Sequence, residues 1–281
     1  MGSVLCANVI QEEMASNSTL NDFFEKYFDP RKMMQSYTAN ESSFFDDTIL
    51  QLFRPLVKTF SSGGVQGETL IDMSAGLYFQ YLFPASEHFK EITITVSSDK
   101  TIPEVEKWLR DEPGAVDMSY AAKVVAELQG NLENWIENQN IFRTKVKNVL
   151  KYDVRRCNPL YPVVLPQADC LLLTHCLECQ VTSTESYSSA LKNVLTLLKP
   201  GGCLLMIVAI EESFYMIGDI KFPHLCIDVG FVTKELTDNQ YVIDEIQVFP
   251  RTICSLYDLA DYTGIAFINA HKETHDCYSN K

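Results

Sequence analysis

Residues 69–76 read Thr69-Leu70-Ile71-Asp72-Met73-Ser74-Ala75-Gly76, and this stretch decides the fold. The apolar run from Thr69 to Met73 has the length of a strand buried on both faces. Three small residues follow it, and then a helical stretch. A strand that passes through a small-residue turn into a helix is the first half of a βαβ unit. Glycine at such a turn lets backbone N–H groups approach a bound nucleoside with no Cβ in the way. Only Gly76 supplies one here, so a nucleoside-binding turn and a plain strand-to-helix turn both stay open on this stretch alone.

Outward from this unit the alternation continues. Glu91 to Thr95 reads as a second strand and Ile102 to Arg110 as a second helix. Asp111 to Phe142 is a polar excursion with a helical stretch near Tyr120–Leu128; it has the character of a solvated face and receives no role. Val146 to Val154 is a third strand that carries Asp153 near its end. Ala168 to Thr174 is a fourth, almost wholly apolar strand. Ser186 to Leu198 is a helix closed by the stop signal Lys199-Pro200-Gly201-Gly202, and Cys203 to Ala209 is a fifth strand. Tyr241 to Phe249 and Ile265 to Ala270 add two more, joined by a turn-rich loop that suits an antiparallel edge hairpin.

Ahead of the alternation, Met1 to Tyr37 is acidic and amphipathic, with a turn at Asp29-Pro30-Arg31. From Ser43 to Phe60, residues Phe44, Phe45, Ile49, Leu50, Phe53, Leu56, Val57 and Phe60 mark one face of a helix, which Ser61-Ser62-Gly63-Gly64 ends. The expected fold is α/β: a doubly wound, mostly parallel sheet with an antiparallel edge hairpin and an N-terminal helical cap. It is read as one domain over residues 1–281, with the cap at 1–60, the sheet core at 61–272 and a mobile tail at 273–281.

Composition narrows the function. Of 281 residues, 46% are hydrophobic and 21% charged, enough apolar material for a sizeable core. Acids outnumber bases 37 to 23, and a net charge of −14 repels phosphate backbones and anionic lipids. Nucleic acid and membrane are therefore not expected partners. No secretory signal is evident, and no apolar run approaches the ~20 residues of a membrane span. Nine cysteines, several inside strand-like runs, suit free thiols in a reducing cytoplasm. Neither Thr174-His175-Cys176-Leu177-Glu178-Cys179 nor the tail His271-x3-His275-x-Cys277 has a matched second ligand pair, so no metal is expected. The first reads better as a loop that lines a pocket. No Ser-His-Asp order, P-loop or HExxH is present.

In open α/β sheets the ligand sits beyond the carboxyl ends of the strands, so the residues just after each strand carry the site. After strand two, a ribose-binding fold wants a carboxylate for two hydroxyls; Val96 fills that place, and Asp99 suits a helix N-cap. After strand three, Asp153 can accept from an exocyclic amine while Val154 packs on an adenine ring. After strand five, Phe214 and Tyr215 could wall a pocket or pack in the core, and both readings stay open.

Read together, several stretches resemble the nicotinamide, phenylethanolamine and thioether (indolethylamine) N-methyltransferase family, most of all its nicotinamide branch. They are Tyr27-Phe28-Asp29-Pro30-Arg31, Leu70-Ile71-Asp72, Phe89-Lys90-Glu91-Ile92, Glu106-Lys107-Trp108-Leu109, Val149 to Val154, Leu197 to Gly202 and Tyr215-Met216-Ile217-Gly218. The resemblance runs from about Tyr27 to Lys272. It implies a class I fold, S-adenosylmethionine as cofactor, a small amine, pyridine or thioether as methyl acceptor, and a cytoplasmic monomer. It also implies a cofactor set of Tyr37, Asp72, Gly76, Asp153, Val154 and Thr174, and a substrate set of Val208, Glu212 and Tyr215. No catalytic nucleophile is implied, because the transfer is a positioned displacement.

The resemblance breaks at the pocket. Ser74 replaces a glycine, Val96 the ribose acid, Met33 and Thr38 two tyrosines, Thr101 an asparagine, Val208 a substrate-side acid and Glu212 a serine. Two functions follow. One is a working methyltransferase in which Glu212, Asp99 or Tyr78 supplies the missing contacts. The other is a degenerate relative kept as a binding or structural protein.

Overall fold

The computed structural model describes residues 19–37, 51–74, 78–251 and 259–273. Thr38, Gly76, His275, Cys277 and the apolar residues Phe44, Phe45, Ile49 and Leu50 lie outside them. The described part begins with helices α1 (Thr19–Tyr27) and α2 (Pro30–Tyr37). Pro30 starts α2, where its missing N–H costs nothing, and the Asp29 carboxylate accepts the N–H groups of Arg31 and Lys32 at 3.0 and 3.2 Å. Helix α3 (Phe53–Ser61) buries Phe53, Leu56, Val57 and Phe60, the predicted apolar face, and ends at Gly63 with φ +76°.

Strand β1 (Gly67–Ser74) runs toward a 3₁₀ helix (Phe79–Ala85), then β2 (Phe89–Val96) and α4 (Ile102–Leu109). Helices α5 (Ser119–Leu128) and α6 (Trp135–Lys145) precede β3 (Val146–Lys151) and β4 (Ala168–Thr174). Helix α7 (Thr184–Leu195) leads to β5 (Leu198–Ile210), the hairpin β6 (Phe214–Ile217) and β7 (Ile220–Pro223), helix α8 (Val229–Asp238), and strands β8 (Tyr241–Pro250) and β9 (Gly264–Lys272). No described helix is long and apolar enough to cross a membrane.

The main sheet has the order β3-β2-β1-β4-β5-β9-β8. The first five strands are parallel, and β9 lies antiparallel between β5 and β8. Strand order reverses between β1 and β4, which puts the ligand crevice at the ends of those two strands. Period-two alternation sorts the sheet's side chains into two layers. Cys170, Leu172, Leu205, Ile207 and Ala209 join the layer that also holds α1 to α6. Leu171, Leu173, Leu204, Met206 and Val208 join the layer under α7 and α8.

Four expectations change. The excursion at 111–142 is not simply a solvated face: Ala121, Ala122, Val125 and Ala126 are buried, and Phe142 packs edge-on against Phe83 at 5.3 Å and on Trp108 at 5.9 Å. Its average polarity hid one apolar side of each helix. Helix α7 stops at Leu195 and β5 starts at Leu198, so Lys199-Pro200-Gly201-Gly202 lies inside the strand. Gly201 takes φ +71° there, and the β4–β5 register shifts beside it. Asp99 is not an N-cap; Thr101 holds that place, and Asp99 pairs with Lys151 at 3.0 Å. The third strand ends at Lys151, so Asp153 and Val154 lie in the turn beyond it. The β6–β7 hairpin and α8 had no sequence expectation, being short or weakly periodic.

Candidate functional site

A cavity of ≈ 70 Å³ opens beyond the carboxyl ends of β4 and β5. One water needs about 10–15 Å³ by this measure, so the space holds a handful of atoms. Its walls include Tyr37, Tyr78, Tyr81, Tyr215 and Tyr262, with Met33, His175, Cys179, Glu212 and His224 between them.

The sequence of the β6–β7 hairpin explains the wall. Gly218, at φ +59°, makes the tight turn between the strands. Tyr215 then faces Phe222 across the hairpin, stacked at 5.3 Å, and bridges to Ala260 on its other side. Tyr37 reaches in from α2. Its hydroxyl lies 2.9 Å from the carbonyls of both Met216 and Leu259, which share its one proton, and it accepts the Met216 N–H at 3.2 Å. Burial pushes this phenol well above its ordinary pKa. Tyr37 is thus a clamp that fastens α2 to the hairpin, and it also lines the space.

Beneath the cavity, the loop after β4 turns sharply at His175, φ +47°. The His175 N–H donates to Ile207 O at 3.0 Å, and its ring lies 5.5 Å from that of Tyr78. Burial lowers its pKa to about 4. Glu178, three residues on, is 2% exposed, and burial raises it to about 7. Glu212 lies just after β5, and burial, with Glu178 next, holds its carboxyl well above the ordinary range. His224 follows β7, and its Nε2 lies 3.1 Å from Glu212 Oε2.

At the switch point, Asp72, Ser74, Val96 and Thr174 are all fully buried at the strand ends, with Ser74 in register with both Val96 and Thr174. Burial lifts Asp72 to about 8, with the Ser74 hydroxyl opposing. Neither Asp72 oxygen nor Thr174 Oγ1 makes a well-formed hydrogen bond among the described residues. Tyr152 donates to Ser74 O at 3.1 Å and closes the floor.

The structure brings Tyr37, Glu212 and Tyr215 together around the cavity, with Asp72 and Thr174 at the crevice. It separates others from that group. Val208 packs in the opposite layer, because alternation along β5 turns it away from the face that carries Ala209. Val154 is likewise buried in that layer, its carbonyl accepting from Asn193 Nδ2 at 3.0 Å. Asp153 is taken by Arg155, whose Nε and Nη2 donate at 2.7 and 3.0 Å. Burial pushes its carboxyl up, but the Arg155 bonds outweigh that and leave it below its ordinary value. Asp99 pairs with Lys151 at 3.0 Å. His224 went unread in the sequence; Phe222-Pro223-His224 carries no periodic signal, and only the hairpin delivers it to Glu212. Among the described residues no cluster could hold a metal.

The chain matches the model of the NNMT/PNMT/TEMT family over residues 16–273. It is 36% identical over 262 residues to indolethylamine N-methyltransferase of Oryctolagus cuniculus, covering 92% of this chain and 99% of that one. It is 38% identical over 244 residues to nicotinamide N-methyltransferase of Sus scrofa, covering 86% and 92%. In three dimensions it is similar to magnesium protoporphyrin IX methyltransferase of Synechocystis PCC 6803, solved with bound S-adenosylmethionine, at TM-score 0.57 and 12% identity, covering 90% and 97%. That last likeness carries the fold alone.

Proposed function

The chain belongs to the NNMT/PNMT/TEMT family of S-adenosylmethionine-dependent methyltransferases, and we propose that it methylates a small amine or pyridine-type acceptor held in the tyrosine-walled cavity. One observation carries the reading: the cavity opens beyond the carboxyl ends of β4 and β5, beside the crevice where strand order reverses.

The cofactor fits this crevice at one end better than the other. A buried polar atom without a partner calls for a ligand; at the switch point Thr174 Oγ1 is one among the described residues, and the buried Asp72 carboxyl, beside the Ser74 hydroxyl, has oxygen lone pairs to spare. These two would hold the amino-acid portion. Val96 offers no carboxylate to a ribose, and Asp153 is already paired. When bound, the cofactor supplies an electrophilic methyl on a sulfonium. The chain's own part is to position and to exclude water. The tyrosine rings confine the acceptor, and Glu212 gives the wall a titratable carboxyl. The same reading makes the protein a cytoplasmic monomer with no nucleic-acid partner; the six free cysteines among the described residues suit a reducing compartment, and the charge of −14 repels a phosphate backbone.

A second reading, a relative that keeps the scaffold without the transfer, is favoured by the departures at Ser74, Val96, Met33 and Val208 and by the occupied Asp153. Calorimetry separates the two. Titration with S-adenosylmethionine and S-adenosylhomocysteine is expected to give dissociation constants within the ~1 μM–1 mM range usual for enzyme substrates. No heat and no thermal shift at millimolar cofactor would overturn the methyltransferase reading.

A further inference from the structure

Glu212 and His224 form a buried pair that the methyl-transfer reading does not yet use. Both line the cavity, and their side chains are 8% and 2% exposed. They come from different elements, held together by the backbone. The His224 N–H donates to Ser213 O at 2.9 Å. His224 Nδ1 lies 3.3 Å from the Glu212 carbonyl oxygen. A ring nitrogen that faces a carbonyl carries the hydrogen, so the other nitrogen holds a lone pair. Nε2 lies 3.1 Å from Glu212 Oε2 without forming a hydrogen bond to it. A lone pair and an ionised carboxylate this close repel, so the carboxyl keeps its proton.

The surroundings agree. Burial, then Glu178 and Asp261, favour the neutral acid, and Arg251 opposes. Burial, then His175, lowers His224 to about 3, and the Glu212 carbonyl and Asp261 oppose. The resting pair is therefore neutral and carries one transferable proton.

We propose that the Glu212–His224 pair is the proton acceptor of this site, and that it selects an acceptor nitrogen that must lose a proton before it can attack. This rests on the methyl-transfer reading. An alkyl amine reaches the protein as an ammonium, with a pKa like that of lysine, ~10.4, and no lone pair. Its charge enters a buried space that tolerates no uncompensated cation. The pair first releases its proton to solvent, leaving the carboxylate opposite the ammonium. One ammonium proton then passes to the pair and restores it. The freed nitrogen lone pair forms the bond to the methyl carbon. The carbon–sulfur bond breaks with its electrons going to sulfur, so the sulfonium becomes a neutral thioether and the product nitrogen carries the positive charge. A pyridine nitrogen, which already has its lone pair, has no proton to give.

The test uses the full chain with and without S-adenosylhomocysteine. Benzylammonium chloride is titrated near neutral pH in two buffers of different ionisation enthalpy. About one proton released per benzylammonium bound is expected, and none for nicotinamide. Glu212→Gln is expected to abolish the release and to weaken benzylammonium at least ~10-fold more than it weakens nicotinamide. His224→Gln is expected to slow benzylamine methylation ~100-fold, a usual loss for a proton-transfer group, in kcat more than in KM and with a much smaller loss for nicotinamide. Binding without proton release, no benzylammonium binding to a chain that binds S-adenosylhomocysteine, or equal slowing of both acceptors overturns the proposal. Absence of cofactor binding alongside intact proton release instead removes the methyl-transfer reading. Should Glu212→Gln not fold, histidine ¹⁵N spectra of the unaltered chain decide: an Nδ1–H tautomer at His224 is expected, and an Nε2–H tautomer overturns the proposal.

Discussion

Asp72 and Glu178 are carboxyls held away from water, at about 8 and about 7, and this ties stability to pH. Unfolded, they ionise near ~3.9 and ~4.3. Between those values and the folded ones the native state binds more protons than the unfolded chain, so stability falls as pH rises. His175 and His224, lowered to about 4 and about 3, act oppositely: the unfolded chain protonates first, and stability falls as pH drops below ~6.5. Glu178→Gln is therefore expected to stabilise the protein by up to roughly 3 kcal/mol near pH 8, from ~1.36 kcal/mol per unit, and by much less near pH 5. Urea midpoints at the two pH values check this, and equal gains at both would refute it. At this scale the sequence was legible where a residue directly follows a strand. Phe214 and Tyr215 were read that way as pocket wall or core packing, and Glu212 came from the family resemblance. Val208 was misplaced because adjacency in sequence does not say which face of a sheet a residue takes.

Helix α2 and the β6–β7 hairpin are joined in part by one phenol, with the Lys32 side chain set against Gly218 beside it. Tyr37→Phe removes the hydroxyl that meets Met216 and Leu259; the Met216 N–H still donates to Leu259 O at 2.7 Å, so the cost is that of the lost phenol bonds, about 0.5–1.5 kcal/mol. A lowered urea midpoint with an unchanged slope is expected; no shift would mean the carbonyls find other partners. Phe142→Ala in α6 empties a fully buried site beside Trp108 and Phe83 and is expected to cost about 3–5 kcal/mol by the same measurement. A cost below ~1 kcal/mol would restore the view of residues 111–142 as a solvated face. Strand β4 was read to the residue because its apolar run is bounded sharply on both sides. Strand β5 was not, because a Pro-Gly-Gly signal that usually stops a helix here lies inside an interior strand, where Gly201 takes φ +71° and the register with β4 shifts. The β6–β7 hairpin, which builds half the cavity wall, is too short for periodicity to show.

Across the whole molecule, the sheet was legible in the sequence and the ribose end of the crevice was legible only as an anomaly. Val96 is fully buried between Ser74 and Lys151. Val96→Asp is expected to lower the melting temperature of the ligand-free protein, since it buries an unpaired carboxyl, yet to tighten S-adenosylhomocysteine at least ~10-fold by restoring a hydrogen bond to charge. Calorimetry and thermal unfolding read the two effects separately, and an unchanged affinity would show that the ribose is held elsewhere.

Strand order also bears on how the chain is made. The partner of β5 on its outer side is β9, and β8 reaches the sheet only through β9. While a ribosome synthesises the chain, β5 must wait with a long apolar edge unpaired until residues 264–272 have emerged. An open edge of that kind invites pairing with a second nascent chain. A stop codon before Gly264 would thus cost the sheet two strands rather than one, and leave a sticky polypeptide for the cell's chaperones.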